Sequence, residues 1–583
     1  MKDMSYEILD LFKAYGSGPD GIQRILEENS NPALLYALSP LRKNQLEWLD
    51  TTGEEEVLQI GSDYGALTGL LASRCAHVTV MDEADENLEV NRQRNSDYVN
   101  ITYGFSFERG VENQGKLFDL VLVSSLEPGR DIQEAVSFGA AFLKQGGRLI
   151  FSCENDLGLR FLAGGEHMEA SCTRQEAKEL CEGLGFSRVE FYYPVTDQKL
   201  PSSVYSDRYL PSRGEVGAGA ALEGPRYSCF QEEAVYDGME GGGLFGSFAN
   251  GFVVIASNGG CETTCFAKYN RTRRKEFQTR TRIWEKEEGC QVEKSALSPE
   301  GKSHLEAFGA HYESLSRCYP HICFLKPVMG ERKDRITFPF LKGRTLAECL
   351  GEQIRDGKAP VCELEKALEA VIGRPEIPLK PFVPTPELEQ VFGNVPDLGG
   401  MSYEISNIDG LFENLMVQEE NGEEKLYCLD YEWVFDFPIP VSFVRYRILA
   451  YFYYRYEGSL CYGSLEGFLK EFGIEGDTAE LYANMEKAFQ SYVHGDALQG
   501  YLANYIHEVT DMEQIRSMKK ELEKARDRIN QLQEEVEERN LFIRKEQELK
   551  RLTNNHVANL EIMIKDVKAS RTILMPCRKA SLR

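Results

Sequence analysis

The sequence predicts an α/β domain, then an α+β domain, then a long helix. Residues 57–82 have the pattern of a buried strand, a glycine-bearing turn, a helix and a second strand, which opens a parallel α/β sheet. Residues 260–496 differ in composition and alternate like hairpins before a helix. From Ile515 onward, apolar residues recur every three and four positions among dense charges.

The length, net charge and cysteine content of the chain restrict its possible domain number, partners and compartment. The 583 residues exceed what one hydrophobic core serves, so we expect about three or four units. A net charge of -27 argues against nucleic acid as a partner, because phosphates are bound by basic surfaces. Fifteen cysteines without a C-x-x-C pair favour free thiols in a reducing compartment. No apolar signal core or membrane-length apolar run is found, so the sequence predicts a cytoplasmic protein.

The turn after the first strand predicts the cofactor. Gly61 and Gly65 permit a close approach of the backbone to an adenosyl ligand. Asp82 ends the next strand, where a carboxylate accepts hydrogen bonds from a ribose diol. Asp63 replaces the middle glycine of a dinucleotide turn, and its charge would repel a pyrophosphate but suits an ammonium and a sulfonium. The turn therefore favours S-adenosylmethionine (SAM).

These residues resemble the class I SAM-dependent methyltransferases, whose first motif runs hydrophobic-x-acid-x-G-x-G-x-G and whose second strand ends in an acid. Two positions depart from the motif: Gln59 replaces the acid before the first glycine, and Asp63 replaces the middle glycine. The resemblance implies a Rossmann-like fold. It implies a cofactor site that includes Gln59, Gly61, Asp63, Gly65 and Asp82.

The alternation continues with strands at 100–103, 118–124 and 147–152, the last after a helix closed by Gly146 and Gly147. Ligands bind beyond the carboxyl ends of parallel strands. We therefore expect the rim of the site at residues 104–106, 124–127 and 154–155, with Ser124 assigned to the cofactor. A final strand at 248–256 places the domain at residues 1–258.

Two tyrosine-rich, proline-bracketed segments at 154–168 and 191–211 are expected to be ordered loops over the ligand edge. Aromatic residues interleaved with Asp197, Lys199 and Asp207 suit a sugar; a lid that contacts only protein is the alternative. His167 is the candidate general base for a hydroxyl acceptor, since an unperturbed imidazole titrates near neutral pH. A purely structural histidine is the alternative.

Residues 259–505 carry a second pattern. Asp409 and Asn414 have the D-x-x-x-x-N spacing of a phosphotransferase catalytic loop, and Asp430 ends an apolar strand where a metal-binding acid belongs. In such a site Asp409 orients the acceptor hydroxyl, while Asn414 and Asp430 hold Mg²⁺ on the ATP phosphates. This half resembles the protein-kinase-like fold, in the branch that includes small-molecule and sugar kinases.

The resemblance implies an amino lobe of three strands and a helix between residues 263 and 316. Lys294 on the third strand fits the lysine that contacts ATP phosphates, and Lys268 is the alternative. Glu306 or Glu313 on the helix would be its ion-pair partner.

Two features depart from the kinase pattern. The first hairpin lacks G-x-G-x-x-G and has the turn N-R-T-R-R-K-E at 270–276, and Asn407 and Ile408 replace the histidine-arginine pair before the aspartate. The turn would hold phosphate through side-chain charge, or the pocket is inactive. Both alternatives stay open.

The carboxyl-terminal region predicts a coiled coil at 506–571, followed by a tail at 572–583. We expect a parallel dimer or trimer, because such a helix cannot bury its apolar stripe alone. A single helix folded back on the globular part is the alternative. Successive a and d positions are Ile515, Met518, Leu522, Ala525, Ile529, Leu532 and Val536.

The order of these parts resembles the bifunctional kinase and methyltransferase enzymes that cap bacterial O-antigen polysaccharides. The resemblance implies SAM, ATP and Mg²⁺ as cofactors, a glycan or lipid-linked oligosaccharide as substrate, and homo-oligomers formed through the coiled coil. It also implies a glycosyltransferase partner that would hold the protein at the inner face of the membrane. Two alternatives are a methyltransferase with an inactive kinase-like module, and a coiled-coil assembly platform for glycan synthesis.

Overall fold

The computed structural model describes residues 4–104, 116–124, 131–195, 197–217, 221–239, 243–260, 262–287, 289–460, 462–495 and 500–574. It comprises two compact units, Met1–Val509 and Thr510–Arg583. Each unit is described by itself.

The strands, in chain order, have the following bounds. They are β1 (Glu56–Ile60), β2 (His77–Met81), β3 (Ile101–Tyr103), β4 (Phe118–Val123), β5 (Leu143–Asn155), β6 (Ser171–Cys172), β7 (Arg188–Val195), β8 (Ser203–Ser206), β9 (Arg226–Ser228), β10 (Gly251–Ser257), β11 (Thr264–Tyr269), β12 (Thr279–Lys286), β13 (Gly289–Ala296), β14 (Ile322–Phe324), β15 (Val328–Met329), β16 (Arg335–Pro339), β17 (Arg344–Thr345), β18 (Leu379–Pro381), β19 (Met401–Tyr403), β20 (Ser406–Asn407), β21 (Leu415–Glu420), β22 (Glu423–Cys428), β23 (Val434–Phe435) and β24 (Val509–Asp511).

The α-helices have the following bounds. They are α1 (Met4–Tyr15), α2 (Pro19–Glu28), α3 (Pro32–Leu38), α4 (Thr68–Ala72), α5 (Asp85–Arg94), α6 (Ile132–Ala140), α7 (Leu159–Leu162), α8 (Arg174–Gly183), α9 (Glu232–Gly238), α10 (Phe245–Phe248), α11 (Lys302–Cys318), α12 (Leu346–Arg355), α13 (Pro360–Val371), α14 (Pro386–Phe392), α15 (Val441–Tyr456), α16 (Leu465–Lys470), α17 (Gly476–His494) and α18 (Met512–Leu574).

One mixed sheet runs through the first unit and has 14 strands within the described residues. Its order is β15-β16-β13-β12-β11-β8-β7-β10-β5-β4-β1-β2-β3, with β6 beside β5. The strands from β3 to β5 pair in parallel. From β5 to β15, each strand pairs antiparallel with the next along this path.

The parallel part positions a ligand site. The chain moves from β1 to β2 and β3 on one side, and then returns through β4 and β5 on the other. The carboxyl ends of β1 and β4 therefore flank a topological switch point, where open α/β sheets bind ligands. This order confirms the Rossmann-like fold predicted for the amino-terminal region. Strand β10, predicted as the final strand of that region, lies antiparallel between β5 and β7.

Two local predictions for this region were wrong. The helix expected to close at Gly146 and Gly147 is α6, which ends at Ala140, and both glycines lie inside β5. The segment at 191–211 is only partly a loop, because it supplies the end of β7 and all of β8. Pro194 is tolerated there because it lies beyond Tyr192, the last residue of β7 that pairs with β10.

Strand β8 joins the two halves of the sheet. It pairs with β7 on one side and with β11 on the other. The predicted domain boundary near residue 258 therefore divides the chain between β10 and β11, while both strands belong to the same sheet.

Between residues 263 and 316 the elements appear in the predicted order, while the kinase-like fold stays a prediction. The strands predicted between residues 263 and 297 form β11, β12 and β13, and the helix predicted at 302–316 is α11. A four-stranded sheet of β14, β22, β21 and β17 follows, with helices α12 to α17. Aromatic residues of α15 and α17, including Phe443, Phe452 and Phe489, lie in one buried cluster.

Almost all described residues of the second unit belong to helix α18, which contains 63 residues. Its predicted a and d residues are exposed except Ile515, and Leu522 is exposed by 70% and Ile529 by 55%. The helix agrees with the predicted heptad region, whereas its self-association stays a prediction. None of the described helices combines the length and the apolar character needed to cross a membrane. The described cysteines all carry free thiols.

Candidate functional site

The turn after β1 is fixed by close packing against β4. Gly61 has φ +85°, and a Cβ there would lie 2.2 Å from the carbonyl oxygen of Ser124. Gly65 has φ +76°, and its Cβ would lie 2.5 Å from Nδ2 of Asn95. Both glycines are needed for these contacts within the protein. Their predicted role in a close approach of the backbone to a ligand stays a prediction.

The side chains of Gln59 and Ser124 stabilise this turn through hydrogen bonds. The buried Gln59 accepts a hydrogen bond from Thr68 Oγ1 at 2.8 Å through Oε1 and donates to the carbonyl of Gly61 at 3.1 Å. Ser124 Oγ donates to the same carbonyl at 2.8 Å. Both side chains are hydrogen-bonded to the turn itself, so they act as its support.

Asp63 has a partner that the sequence did not reveal. It forms an ion pair with Arg42, and the two side chains are only 3% and 2% exposed. Burial raises the pKa of Asp63, but Arg42 and Lys199 more than offset this and leave the pKa below its ordinary value. Asp63 and Tyr64 also have positive φ, 46° and 52°, which is uncommon for two successive residues other than glycine. The expectation of a carboxylate available to a cationic ligand is therefore corrected: Arg42 compensates its charge.

Asp82 lies where the sequence placed it, at the carboxyl end of β2, and is buried. Its oxygens accept hydrogen bonds from Ser62 N at 2.7 Å, Ala84 N at 3.0 Å and Asn87 Nδ2 at 3.1 Å. A carboxylate has about four lone-pair sites, so one stays open. Accepting both hydroxyls of a ribose requires one donor to leave, and Asn87 is the only side chain among the three.

A cavity of about 290 Å³ adjoins the turn. Helices α1 and α3 contribute mainly apolar side chains to its wall, and the loops contribute mainly charged ones. The lining residues are Met4, Pro32, Ala33, Tyr36, Ala37, Arg42, Asp63, Tyr64, Glu154, Arg160, Phe161, Met168, Glu169, Asp197, Gln198, Lys199, Glu223 and Asn250.

Several lining groups form fixed ion pairs. Arg160 pairs with Glu223 and lies 3.8 Å from Asp197. Lys199 Nζ lies 2.6 Å from Glu169 Oε1. Asp197 and Lys199 both line this cavity, while their contact with a sugar stays a prediction. Asp207 does not line it; its carboxylate pairs with Arg174 at 2.7 Å.

Some buried polar atoms of this wall have no partner. Both amide atoms of Gln198 and Oε2 of Glu169 lack hydrogen bonds within the described residues. Buried polar groups are normally satisfied, so these atoms mark places where a ligand or water would bind. Burial raises the pKa of Glu169 despite the nearby Lys199.

His167 lies beside this cavity and is bonded to its wall. Its Nδ1 is 2.9 Å from Oε2 of Glu154, and its ring stacks on Phe161 at 3.9 Å. His167 itself is not among the residues that line the cavity. Glu154, at the carboxyl end of β5, does line it, as the rim prediction expected. Asn155 is instead buried and bonded to the carbonyls of residues 247 and 249.

A second cluster forms around Lys294 on β13. Its Nζ lies 2.6 Å from Asp430 Oδ2 and 3.6 Å from Glu432 Oε2. Burial lowers the pKa of Lys294, but the two carboxylates more than compensate and raise it above its ordinary value. The predicted ion pair with the following helix does not form. Glu306 is exposed and pairs with Lys333 at 3.3 Å, because it points to solvent from α11.

The other lysine and glutamate alternatives are also exposed. Lys268 on β11 and Glu313 on α11 both face solvent. The α11 side chain that reaches the cluster is His304, whose Nε2 lies 2.6 Å from Glu432 Oε1. Sequence reasoning missed Glu432 and His304, since no motif marks either position.

Asp409 and Asn414 lie in the same region. Asp409 Oδ2 accepts a hydrogen bond from Trp433 N at 2.8 Å, and Asn414 Nδ2 donates to the carbonyl of Asp409 at 2.9 Å. Burial, with Asp430 and Glu432 nearby, raises the pKa of Asp409 to about 7. Within the described residues, no group of three or more His, Cys, Asp and Glu side chains is arranged to hold a metal ion. Oδ1 of Asp430, however, is buried without a partner and fits a cation ligand.

The arginine-rich turn at 270–276 is already neutralised. Its arginines are bound to carboxylates, so in this arrangement they do not offer free charge to a phosphate. The pairs are Arg271 with Glu47, Arg273 with Glu432 at 2.7 Å, and Arg274 with Glu276 at 2.7 Å.

Part of the predicted rim lies outside the described residues, namely 105–106 and 125–127. The polar and charged residues of the cavity wall that sequence reasoning missed are Arg42, Tyr36, Arg160 and Glu223. Arg42 precedes Asp63 by 21 positions, and no local spacing connects the two.

No family model matches the chain. Over 123 residues, or 21% of the chain, it is 34% identical to the demethylmenaquinone methyltransferase of Tropheryma whipplei, of which 51% is covered. Over 123 residues it is 28% identical to the ubiquinone biosynthesis O-methyltransferase of Coxiella burnetii, of which 53% is covered. The chain thus spans about half the length of these curated relatives. The similarity shows homology to class I SAM-dependent methyltransferases in this part of the chain.

Among solved structures, the N-methyltransferase NodS from Bradyrhizobium japonicum, in complex with S-adenosyl-L-homocysteine, aligns with 23% of this chain and 72% of NodS. The identity is 25% and the TM-score is 0.17.

Proposed function

We propose that this protein is a SAM-dependent methyltransferase that transfers the methyl group to a hydroxyl oxygen. One observation carries the proposal. The glycine turn after β1 and the buried Asp82 after β2 lie together at the switch point of a parallel sheet. The homology to methyltransferases supports it, and the name of the Coxiella burnetii relative describes an O-methyltransferase.

The residues present fit SAM. When bound, SAM supplies an electrophilic methyl group. Asp82 has a lone-pair site for a ribose hydroxyl, and Asn87 can yield a second. The ion pair of Asp63 with Arg42 holds the strained turn in one conformation. The adjoining cavity then orients the acceptor and excludes water, which is the main service a protein provides to a displacement reaction.

For the acceptor we propose the end of a bacterial surface glycan, carried as a free or lipid-linked oligosaccharide. The mixed wall supports this, because apolar side chains can stack on sugar faces while Gln198 and Glu169 offer unpaired polar atoms to hydroxyls. Labelled SAM incubated with oligosaccharides, and in parallel with quinols, tests the choice by mass spectrometry. Methylation of quinols alone would contradict the glycan proposal and leave methyl transfer intact.

A second candidate activity is ATP-dependent phosphorylation of the terminal sugar. The observation that favours it is the contact between Lys294 and Asp430, which are 136 positions apart, in the region that also holds Asp409 and Asn414. Asp430 and Asn414 would hold Mg²⁺, which would neutralise ATP oxygens. Asp409 would orient the sugar hydroxyl.

Replacing Lys294 by methionine is expected to reduce the affinity for MgATP tenfold or more, because the variant loses the buried cation beside Asp430. Titration calorimetry with MgATP measures this. Lys268→Met removes the exposed alternative lysine on β11 and should bind like the unaltered protein. If only Lys268→Met loses MgATP binding, Lys268 and not Lys294 is the lysine that contacts ATP. If the unaltered protein does not bind MgATP, the kinase proposal is wrong. Retained SAM binding would show that Lys294→Met is folded.

We also propose that α18 forms a parallel coiled coil that makes the protein a homo-oligomer. Its exposed a and d residues support this, since a lone helix leaves them in water. The double substitution Leu522→Asp and Ile529→Asp is expected to dissociate the oligomer, as measured by sedimentation velocity. Asn530→Asp with Gln531→Asp adds the same charge to the outer face and should leave the oligomer intact. Equal sedimentation of both variants would count against the coiled coil.

The same helix is the proposed docking element for a glycosyltransferase, through which the protein would reach the inner face of the membrane. Its length supports a role as a spacer, since 63 helical residues span about 95 Å at 1.5 Å per residue.

A further inference from the structure

Glu154 shares a cavity with the cofactor turn. It is the next-to-last residue of β5, which lies beside β4 in the sheet, and the cavity that it lines is also lined by Asp63 from the turn after β1. Glu154 is only 8% exposed. A carboxylate is thus held at the ligand edge of the sheet, close to the place where the methyl donor and the acceptor would meet.

The neighbours of Glu154 come from the segment after β5. His167 Nδ1 and the backbone N of Met168 each lie 2.9 Å from its Oε2. Burial raises the pKa of Glu154 to about 7, and the carboxylate of Glu169 acts in the same direction. The backbone N–H groups of Glu169 and Met168 and the charge of Arg160 oppose this rise. This value suits a general base near neutral pH.

His167 is in a poorer position to receive a proton. Its ring stacks on Phe161, and Nδ1 is bonded to Glu154 rather than directed at the cavity. A histidine that donates through Nδ1 to a carboxylate fixes the direction of that carboxylate. The geometry resembles a base with its orienting partner, with the carboxylate on the cavity side.

We infer that Glu154, and not His167, accepts the proton of the acceptor hydroxyl, and that His167 is a positioning residue acting through Nδ1. This rests on the proposed methyltransferase function. The acceptor O–H bond breaks and its proton goes to a carboxylate oxygen of Glu154. The acceptor oxygen bonds the methyl carbon as the carbon–sulfur bond breaks, and the electron pair of that bond stays on sulfur. Ionised Glu154 also provides the negative charge that faces a sulfonium.

The first test needs no acceptor. Calorimetry compares the affinities for SAM, which carries a sulfonium, and S-adenosylhomocysteine, which carries a neutral sulfur, at pH 6 and pH 8. As Glu154 ionises, the ratio of the two affinities should shift about three- to tenfold towards SAM. Comparing the two ligands removes effects on their shared amino and carboxyl groups. In Glu154→Gln the ratio should be independent of pH, whereas in His167→Asn it should still change.

The outcomes are separable. A pH-dependent ratio in Glu154→Gln equal to that of the unaltered protein would overturn the assignment of Glu154. If the unaltered protein binds neither ligand, the proposed function itself fails. For His167, methyl transfer should fall in His167→Ala and recover in His167→Asn, whose amide N–H replaces Nδ1–H. Equal loss in both variants would reject the positioning role.

Thermal unfolding provides a ligand-free control. The raised pKa of Glu154 means that its contribution to stability is present below the unfolded pKa of about 4.5 and is lost as the pH rises through about 7. Glu154→Gln should therefore unfold at a higher temperature than the unaltered protein at pH 8, with little difference at pH 5. A constant difference at both pH values would show that Glu154 does not titrate in this range.

Discussion

Replacing Arg42 by methionine is expected to lower the free energy of unfolding by about 3 to 5 kcal/mol, because Asp63 would be left as a buried carboxylate without its partner. Arg42 and Asp63 are almost fully buried, so water cannot replace the lost ion pair. Urea unfolding measures the loss. Asp63 carries a lowered pKa, so the stability it contributes is present at neutral pH and disappears as the pH falls. The difference between the two proteins should therefore shrink in acid.

Two control substitutions show whether the loss of stability comes from the burial of the ion pair and from the unpaired charge of Asp63. Lys13→Ala breaks an exposed pair with Asp10, and it should leave the free energy of unfolding unchanged. Adding Asp63→Asn to Arg42→Met removes the unpaired charge while keeping a residue that tolerates positive φ, and it should restore most of the stability. If Arg42→Met alone is as stable as the unaltered protein, other groups compensate the charge of Asp63.

Replacing Asp82 by alanine is expected to weaken SAM binding about 100-fold. This corresponds to about 3 kcal/mol, the value of one or two hydrogen bonds to a charged acceptor. The carboxylate also holds Ser62 N, so the substitution loosens the turn as well as removing the ribose contact. Titration calorimetry with SAM measures the effect, and it tests the proposed function at the same time.

Asn87→Ala is the matched control. It removes one donor from the same carboxylate and frees a lone-pair site, so SAM affinity should be unchanged or higher. Asp82→Asn should be intermediate, because an amide oxygen still accepts one hydrogen bond. If Asp82→Ala binds SAM as tightly as the unaltered protein, the ribose is held elsewhere and the proposed cofactor site is wrong.

The sequence was a good guide to individual strands. The predicted strand at 77–81 matches β2, and those at 100–103 and 118–124 differ from β3 and β4 by one residue at one end. These strands are short runs rich in apolar and β-branched residues and are bounded by turn residues, so their signal is local. The loop prediction for 191–211 was wrong at residues 191–195 and 203–206, because the prolines of the segment favoured a loop. Where β7 and β8 pair, aromatic and β-branched residues are buried by neighbouring strands, and this burial outweighs the prolines.

The residues of the candidate site could be predicted where they lie close together in the sequence. Gly61, Gly65 and Asp82 were identified because the turn and the strand end impose them through short-range geometry. Asp63 was found, but the charge argument for it was incomplete without Arg42. Likewise Lys294 and Asp430 were both selected, but the pairing of Lys294 with Glu306 was wrong because a helix position does not reveal which face meets the strand.

The sequence by itself determined the parallel sheet, the glycine turn with its following acid, and the helical heptads. Each of these is encoded by residues that neighbour one another along the chain, or by a period that repeats. The tertiary structure alone decided that β8 joins two halves in one sheet, that Arg42 neutralises Asp63, and that His167 bonds to Glu154 without lining the cavity. Those contacts join segments that become neighbours only after folding, and the energy of a buried charge depends on which neighbours it then has.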